Sequence, residues 1–376
     1  MFLALHEMRR AKVRFGLLVV AVGLLVFLIL AQQAIQNGLL TSFVGAIERQ
    51  SAPVLVYSVD GQRTLQGSVI PPPLEQRIRA VEGVAGAGRI GQGTFTVRAG
   101  GSAEDSDAAV NGDERDDLGA PDRLSAGRLP RAAGEAVGSA ADFAVGDRVR
   151  VLAGGPGGGT GPQLTVVGLA QDAQLQVTPT LFVGWDDYVA AVRAANPDAR
   201  TVLPSALGVR PVDGLSPAAL AARINDASDD ADALTRERAA QESPGVAQVR
   251  QSFQVIFLLY ALVVPLVTGL FFLIITFQKA GSLTLLRAIG ARSGVLVRSL
   301  LVQVVLVIGG GLVLGVALYA PLTLIRLGDI VLRFDAAAVV FWAVLLLVLG
   351  LLSAVVAARR VLAIDPIEAT TGGGGR

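Results

Sequence analysis

Residues Phe15–Ala34 read FGLLVVAVGLLVFLILAQQA, 20 positions with no charge and no polar side chain before Gln32 and Gln33. A helix of about 20 residues crosses the roughly 30 Å hydrocarbon layer of a bilayer. One that is apolar on every face has no side to turn to water. The stretch is therefore read as a membrane-spanning helix. It follows a basic N-terminus, as a signal peptide would. Its apolar run is longer than the about 7–15 residues of a signal core, however, and no small-residue cleavage pattern follows Gln32 and Gln33, so it is expected to remain as an anchor.

Working outward, three more runs share this character: Phe253–Phe277, Val295–Ile325 and Ala336–Ala358. Hydrophobic residues make up 52% of the 376 and charged ones 17%. The mean hydropathy is +0.57, beyond the range of ordinary soluble domains. The expected fold class is a membrane α-helical protein with four transmembrane helices plus an extracytoplasmic mixed α+β domain. The expected boundaries are residues 1–14 before the membrane, 15–40 for helix one and 41–252 for the large domain with stalk helices at both ends. Helix two follows at 253–277, a turn at 278–294, helix three at 295–325, a short loop at 326–335, helix four at 336–358 and a tail at 359–376.

Charge sets the orientation. Arg9, Arg10, Lys12 and Arg14, then Lys279, Arg287, Arg292 and Arg298, then Arg359, Arg360 and Arg376 stand against only Glu7, Asp365 and Glu368. The stretch Leu40–Ser252 holds 26 acidic and 19 basic residues. Because basic flanks stay on the cytoplasmic side, both termini are expected inside a bacterial plasma membrane and the large domain outside.

Within that domain, Val54–Ser58, Arg148–Leu152, Leu164–Leu169 and Thr180–Gly184 have strand character, and Pro72–Val81 and Ala218–Ile224 helical character. The Gly- and Asp-rich stretches Gly100–Gly119 and Gly154–Gly161 show no hydrophobic periodicity and read as exposed loops. The polar segments Gln36–Gln50 and Arg236–Ser252 are expected to continue helices one and two outward as stalks.

The residue inventory excludes whole classes of chemistry. There is no cysteine, one histidine (His6), and lysine only at Lys12 and Lys279. Thiolate chemistry, a zinc site needing two imidazoles and a His-centred relay are thereby excluded. Neither lysine lies in a phosphate-binding Gly-x-x-x-x-Gly-Lys-Ser/Thr context. No catalytic residue, metal site or nucleic-acid surface is expected, and any ATP used must be hydrolysed by another chain.

Three patches resemble the FtsX-like permease family in its MacB-like form, the transmembrane subunits of type VII ABC exporters. Residues 1–12, MFLALHEMRRAK, resemble the family's amphipathic helix on the cytoplasmic face, and also the permeases of haem exporters. Gly134-Glu135-Ala136-Val137 with Val145-Gly146-Asp147 is similar to the outer-domain pattern. Gln278-Lys279 through Leu286-Arg287-Ala288-Ile289-Gly290 resembles the coupling-helix loop, and Ile364-Asp365-Pro366-Ile367-Glu368-Ala369 the C-terminal signature. One departure is that Gln278-Lys279-Ala280-Gly281-Ser282 lacks the carboxylates the family often carries there.

The resemblance implies a homodimer that works with two copies of a cytoplasmic ABC ATPase, which binds ATP and magnesium; this chain would hold no cofactor. It also implies export of a drug, lipid, lipoprotein, peptide or haem by mechanotransmission. The alternative within the family is activation of an extracytoplasmic cell-wall hydrolase without transport. A helix over Ser282–Ile289 would put Leu283, Leu286 and Ile289 on one face, ready for a groove on the ATPase, with Arg287, Ala288 and Gly290 completing the element; the same face could instead rest on membrane lipid.

In the membrane, Gly311 and Gly315 form a small-residue packing surface and Pro265 is expected to kink helix two. Tyr260 and Tyr319 are the two tyrosines of the spans, candidates for contact with haem. An aromatic belt explains the same pair and is the preferred reading.

Overall fold

The computed structural model of the chain describes residues 12–100, 104–154, 160–278, 293–323, 326–327, 330–332 and 334–362. In chain order the elements are α1 (Lys12–Glu48), β1 (Val54–Ser58), α2 (Pro72–Arg79), β2 (Val84–Ala99), β3 (Ser106–Asp113), β4 (Leu124–Gly127), β5 (Glu135–Ser139), β6 (Arg148–Leu152), β7 (Thr160–Ala170) and β8 (Thr180–Gly184). Then come α3 (Trp185–Ala195), β9 (Ala206–Pro211), α4 (Pro217–Ala227), β10 (Ala231–Thr235), α5 (Arg236–Gln241), α6 (Val246–Gln278), α7 (Ser293–Leu322), the strand pair Arg326–Leu327 and Ile330–Val331, and α8 (Ala336–Leu362). Two compact units divide the chain. One is Met1–Gln36, Gln251–Arg326 and Leu332–Arg376; the other is Asn37–Arg250 with Leu327–Val331.

The second unit is built on a ten-stranded mixed sheet in the order β10-β1-β9-β2-β3-β8-β5-β7-β4, with β6 pairing both β2 and β7. It is parallel at β3–β8 and β5–β7 and antiparallel at its other pairings. Because β6 bridges β2 to β7, the six strands β2-β3-β8-β5-β7-β6 close into a ring. Each contributes to one core that includes Val97, Val110, Val183, Ala136, Val166 and Val151. Helix α3 adds Tyr188 and Ala191 to it.

Strand β2 is 16 residues long because it serves two layers. Its first half pairs β9, and its end pairs β6.

The remaining strands, β10-β1-β9 with the first half of β2, form an open sheet buried on both faces. The sequence Val54-Leu55-Val56-Tyr57 accordingly reads as a continuous apolar run, as doubly covered strands do. Val54, Val56, Leu207 and Val209 meet Leu74 and Ile78 of α2 and Leu220 and Ile224 of α4. Pro72 and Pro217 open those helices at their first turns, where a missing N–H costs nothing. The Ser216 hydroxyl accepts from the Ala219 N–H at 3.2 Å and caps α4. On the opposite face Leu55, Tyr57, Ile90 and Leu234 meet Val44 and Ile47 from the end of α1.

Two expectations are corrected here. The stretch Gly100–Gly119, read as an exposed loop, contains β3, whose Ala108, Ala109 and Val110 are fully covered. Small and acidic residues hid it, because its burial comes from β2 and β8 and not from any local period. Arg236–Ser252 is not one stalk helix: α5 stops at Gln241 and α6 starts at Val246. Pro244 cannot donate to the helical ladder, and Gly245 turns the chain at φ +86°.

Of the other glycine-rich stretch, Thr160 and Gly161 belong to β7, and residues 155–159 lie outside the described residues.

Among the described residues, three helices are long and apolar enough to cross a membrane: Lys12–Glu48, Val246–Val263 and Leu301–Leu322. The apolar stretch in α8, Ala336–Leu352, is shorter.

Candidate functional site: a joint between the stalk segments and the sheet

Helix α1 runs for 37 residues without a break, and its last turns are built into the backbone of the sheet-bearing unit. The Ser42 and Phe43 carbonyls accept from the Val177 and Gln176 N–H groups at 2.8 and 2.9 Å. The Ala46 N–H, whose partner in a regular helix is the Ser42 carbonyl, donates to the Gln174 carbonyl at 2.9 Å. The 172–177 loop is thus laced into the ladder of α1. Gly45 makes this possible. A Cβ at that position would lie 2.1 Å from the Asp172 carbonyl oxygen, so any side chain would push the loop off the helix.

The loop is strained where it meets α1. Asp172, Gln176 and Val177 have φ of +58°, +52° and +60°. For a β-branched residue such as Val177 this is an outlier, and each such residue costs about 1–3 kcal/mol. Across the same face, Gln62 and Arg63 sit at +48° and +61°. The Arg63 guanidinium donates to Asp232 of β10 at 2.7 Å and to Glu242, the residue capping α5. Half-exposed, these pairs are worth at most about 1 kcal/mol each. They fix direction more than they add stability, tying the sheet edge to the segment Glu242–Gly245 that leads into α6. The bases of the two stalk segments also meet, since a Cβ on Gly245 would lie 3.4 Å from the Phe43 ring.

Buried beside this joint are polar groups that find no partner: the Tyr57 hydroxyl, both amide atoms of Gln92 and the Asn111 Oδ1. Gln92 and Asn111 are directly opposite across β2 and β3 and so share a face. Burial pushes the Tyr57 hydroxyl above its usual pKa. Gln92 lines a cleft whose other walls include Phe43, Val44 and Ile47 of α1, Leu65, Leu175 and Pro244. On the opposite face of the same strands, Gly91 and Gly112 pair and make room for Tyr188, whose ring would be 2.2 Å from a Cβ at Gly91. Tyr188, buried there, is pushed up to about 12 although it hydrogen-bonds the Ser205 side chain.

A buried acid completes the electrostatics. Asp113 ends β3 opposite Ile90 and is 8% exposed. Burial, with the Asp116 carboxylate adding to it, holds its carboxyl up at about 7. Glu135, by contrast, is held down at about 2, first by the Arg128 guanidinium and then by the Arg131 and Ala132 N–H groups. It therefore stays charged where β5 begins. Among the described residues no group of three or more His, Cys, Asp or Glu is placed to hold a metal.

The residues singled out from sequence fall elsewhere. Leu283, Leu286, Arg287, Ala288, Ile289 and Gly290 lie outside the described residues. Pro265 lies within the helix α6. Gly311 and Gly315 of α7 face α1, since Cβ atoms on them would come within 2.5 and 2.6 Å of Val22 and Val26. Gly23 reciprocates, 2.8 Å from Leu314 on the same test. Tyr260 packs edge-on to Phe257 at 6.4 Å. Tyr319 is 2% exposed, stacks on Phe334 at 5.6 Å and receives a hydrogen bond from the Asp335 backbone.

Sequence reading missed Gly45, Arg63, Gln92 and Gly23. Only the Pro244-Gly245 break carried a local signal.

No family model matches the chain, and no curated protein does. Among solved structures, it is similar to the extracellular domain of YknZ, a noncanonic ABC-type transporter of Gram-positive bacteria. That match has 14% identity and a TM-score of 0.32 and covers 48% of this chain and 99% of that one. It is also similar to the periplasmic region of MacB from Actinobacillus actinomycetemcomitans, at 10% identity and a TM-score of 0.36, covering 52% and 93%.

Proposed function

We propose that the chain is the membrane subunit of an ATP-driven exporter of the FtsX-like, MacB-like permease type. In this reading its four membrane helices carry force from a cytoplasmic loop at residues 278–294 to the outer domain. The observation that carries the proposal is α1. It is one unbroken helix whose final turns share hydrogen bonds with the 172–177 loop, so a displacement along its axis is delivered to the sheet and not lost in a linker. A helix ending in a flexible tether would not do this.

The order of sequence features agrees: one large domain between the first and second apolar runs, Leu286-Arg287-Ala288-Ile289-Gly290 between the second and third, and Asp365-Pro366-Ile367-Glu368-Ala369 at the end. On this reading the chain is a non-catalytic subunit that acts as a homodimer with two ATPase subunits, which bind ATP and magnesium. Its termini lie inside the plasma membrane, and it expels an amphipathic or hydrophobic substrate collected outside or in the outer leaflet.

The test is reconstitution of the chain with its ATPase in liposomes against a panel of drugs, lipids, peptides, lipoproteins and haem. The expected result is substrate-stimulated ATP hydrolysis that Leu286→Glu abolishes. Co-purification of a cell-wall hydrolase, with no substrate stimulating the ATPase, would replace export by signalling. Haem binding that survives Tyr260→Phe and Tyr319→Phe would remove those tyrosines as ligands.

A further inference from the structure

We infer that residues 172–178 form a latch: the segment is anchored in the closed ring of strands and lets go of α1 when that helix slides. Two sets of bonds hold it, and they differ in kind. On the ring side they run to buried side chains. The Gln174 amide, 4% exposed, donates to both oxygens of the Asp142 carboxylate at 3.0 and 2.9 Å. That carboxylate also accepts from the Ser139 hydroxyl at the end of β5. The Leu175 N–H donates to the Thr180 hydroxyl at 3.0 Å, and the Thr180 N–H to the Ser139 hydroxyl at 3.1 Å. Gln174, Thr180 and Ser139 are all buried, so opening this side would leave an amide and two hydroxyls short of partners at their full desolvation cost.

On the α1 side the bonds are backbone to backbone, and release costs less. The Ala46 N–H and the Ser42 carbonyl, each bonded here to the loop, are one another's partners in a regular helix. Once the loop parts, they satisfy each other. Gln176 is exposed, so water reaches its N–H at once. Release also frees Gln176 and Val177 from the positive φ they hold against α1. The Arg49–Asp172 pair, 3.8 Å apart and partly exposed, adds little. Ala173 and Leu175 share their core with Val44 and Ile47. Apolar burial is non-directional, so it permits sliding where hydrogen bonds do not. Latched, α1 drives the ring; released, it slips past. That use of the latch rests on the force-carrying role proposed for α1, whereas its opening is tested without an ATPase, so failure of the exporter reading would leave the opening standing.

The full chain in nanodiscs is transferred to deuterated buffer, and amide exchange is read at single residues by mass spectrometry with electron-transfer fragmentation. Gln176 and Val177 are expected to open as one unit, with protection equal within about threefold. Ala46, which the helix takes back, and Leu175 and Thr180, which the ring keeps, should each be protected at least about tenfold more. Val177→Gly replaces a β-branched residue at positive φ and is expected to slow exchange at Gln176 by about tenfold, the low end of the cost of one strained residue.

Ala46 exchanging along with Gln176 and Val177 would mean that the end of α1 frays, and Leu175 or Thr180 doing so would mean that the ring side opens. Either result would overturn the latch. So would unequal protection of Gln176 and Val177, or exchange at Gln176 that Val177→Gly leaves unchanged or makes faster.

Discussion

Replacing Asp113 by Asn should flatten a pH dependence that the outer domain otherwise carries. Asp113 is covered by the sheet and by the turn that contains Asp116, and its folded pKa of about 7 compares with an ordinary 3.8. Between these values the folded chain holds a proton that the unfolded chain has released. Stability therefore falls as pH rises from about 4 to about 7 and is level on either side of that window. At about 1.4 kcal/mol per tenfold change in the binding constant, the loss is on the order of 4 kcal/mol by pH 8 if nothing around the carboxylate relaxes. Asn keeps the shape of the neutral acid and does not titrate.

In urea unfolding of the full chain followed through Trp185, in a Trp342→Phe background, Asp113→Asn should match the parent within about 1 kcal/mol at pH 4. At pH 8 it should exceed the parent by a few kcal/mol. A parent whose midpoint is unchanged from pH 5 to pH 8, or a variant that follows the parent's pH dependence, would refute the reasoning.

Three substitutions probe close contacts. Gly112→Ala places a Cβ 2.2 Å from the Tyr188 Cβ, a backbone-near atom with nowhere to go. A loss of about 3 kcal/mol is expected in the same unfolding assay. Gly45→Ala gains about 1 kcal/mol of helix propensity but collides with the Asp172 carbonyl. Net destabilisation of about 1–2 kcal/mol is expected, together with faster amide exchange at Gln176 and Val177, whose bonds to Phe43 and Ser42 open. Gly311→Val drives a side chain into Val22 and should lower the thermal midpoint of the chain in detergent by several degrees, read by circular dichroism at 222 nm.

The parts legible in the sequence were those with a local signal. Phe15–Ala34 and the other apolar runs declare themselves by length. The run Val54–Tyr57 is apolar at every position because both its faces are covered, and Pro72 and Ser216-Pro217 mark helix starts. What failed to show was written in long-range contacts. Strand β2 carries Gly86, Gly88, Gly91 and Gly93, residues that weaken any strand propensity. They are present because Arg115, Leu118, Tyr188 and Phe95 lie against them. The acidic, small-residue β3 is covered only by distant partners.

Of the candidate site, the loop at residues 278–294 rests on resemblance. Of the joint, only the helical continuation through Gln36–Gln50 and the Pro244-Gly245 break could be read, since Gly45 matters only because residues more than 120 positions later thread into its helix. Gln92 looks like any polar strand residue until its partnerless burial is seen.

The central claim is that work done on the cytoplasmic side reaches the outer domain. The chain has no cysteine, so a single one introduced at exposed Asp60 can carry a spin label without interference. Distances between the two labels of a dimer are then measured by pulsed electron resonance in the reconstituted complex, with and without ATP and vanadate. The account predicts a shift in the distance distribution on nucleotide trapping that disappears in Leu286→Glu. An unchanged distribution in a complex that hydrolyses ATP would contradict it.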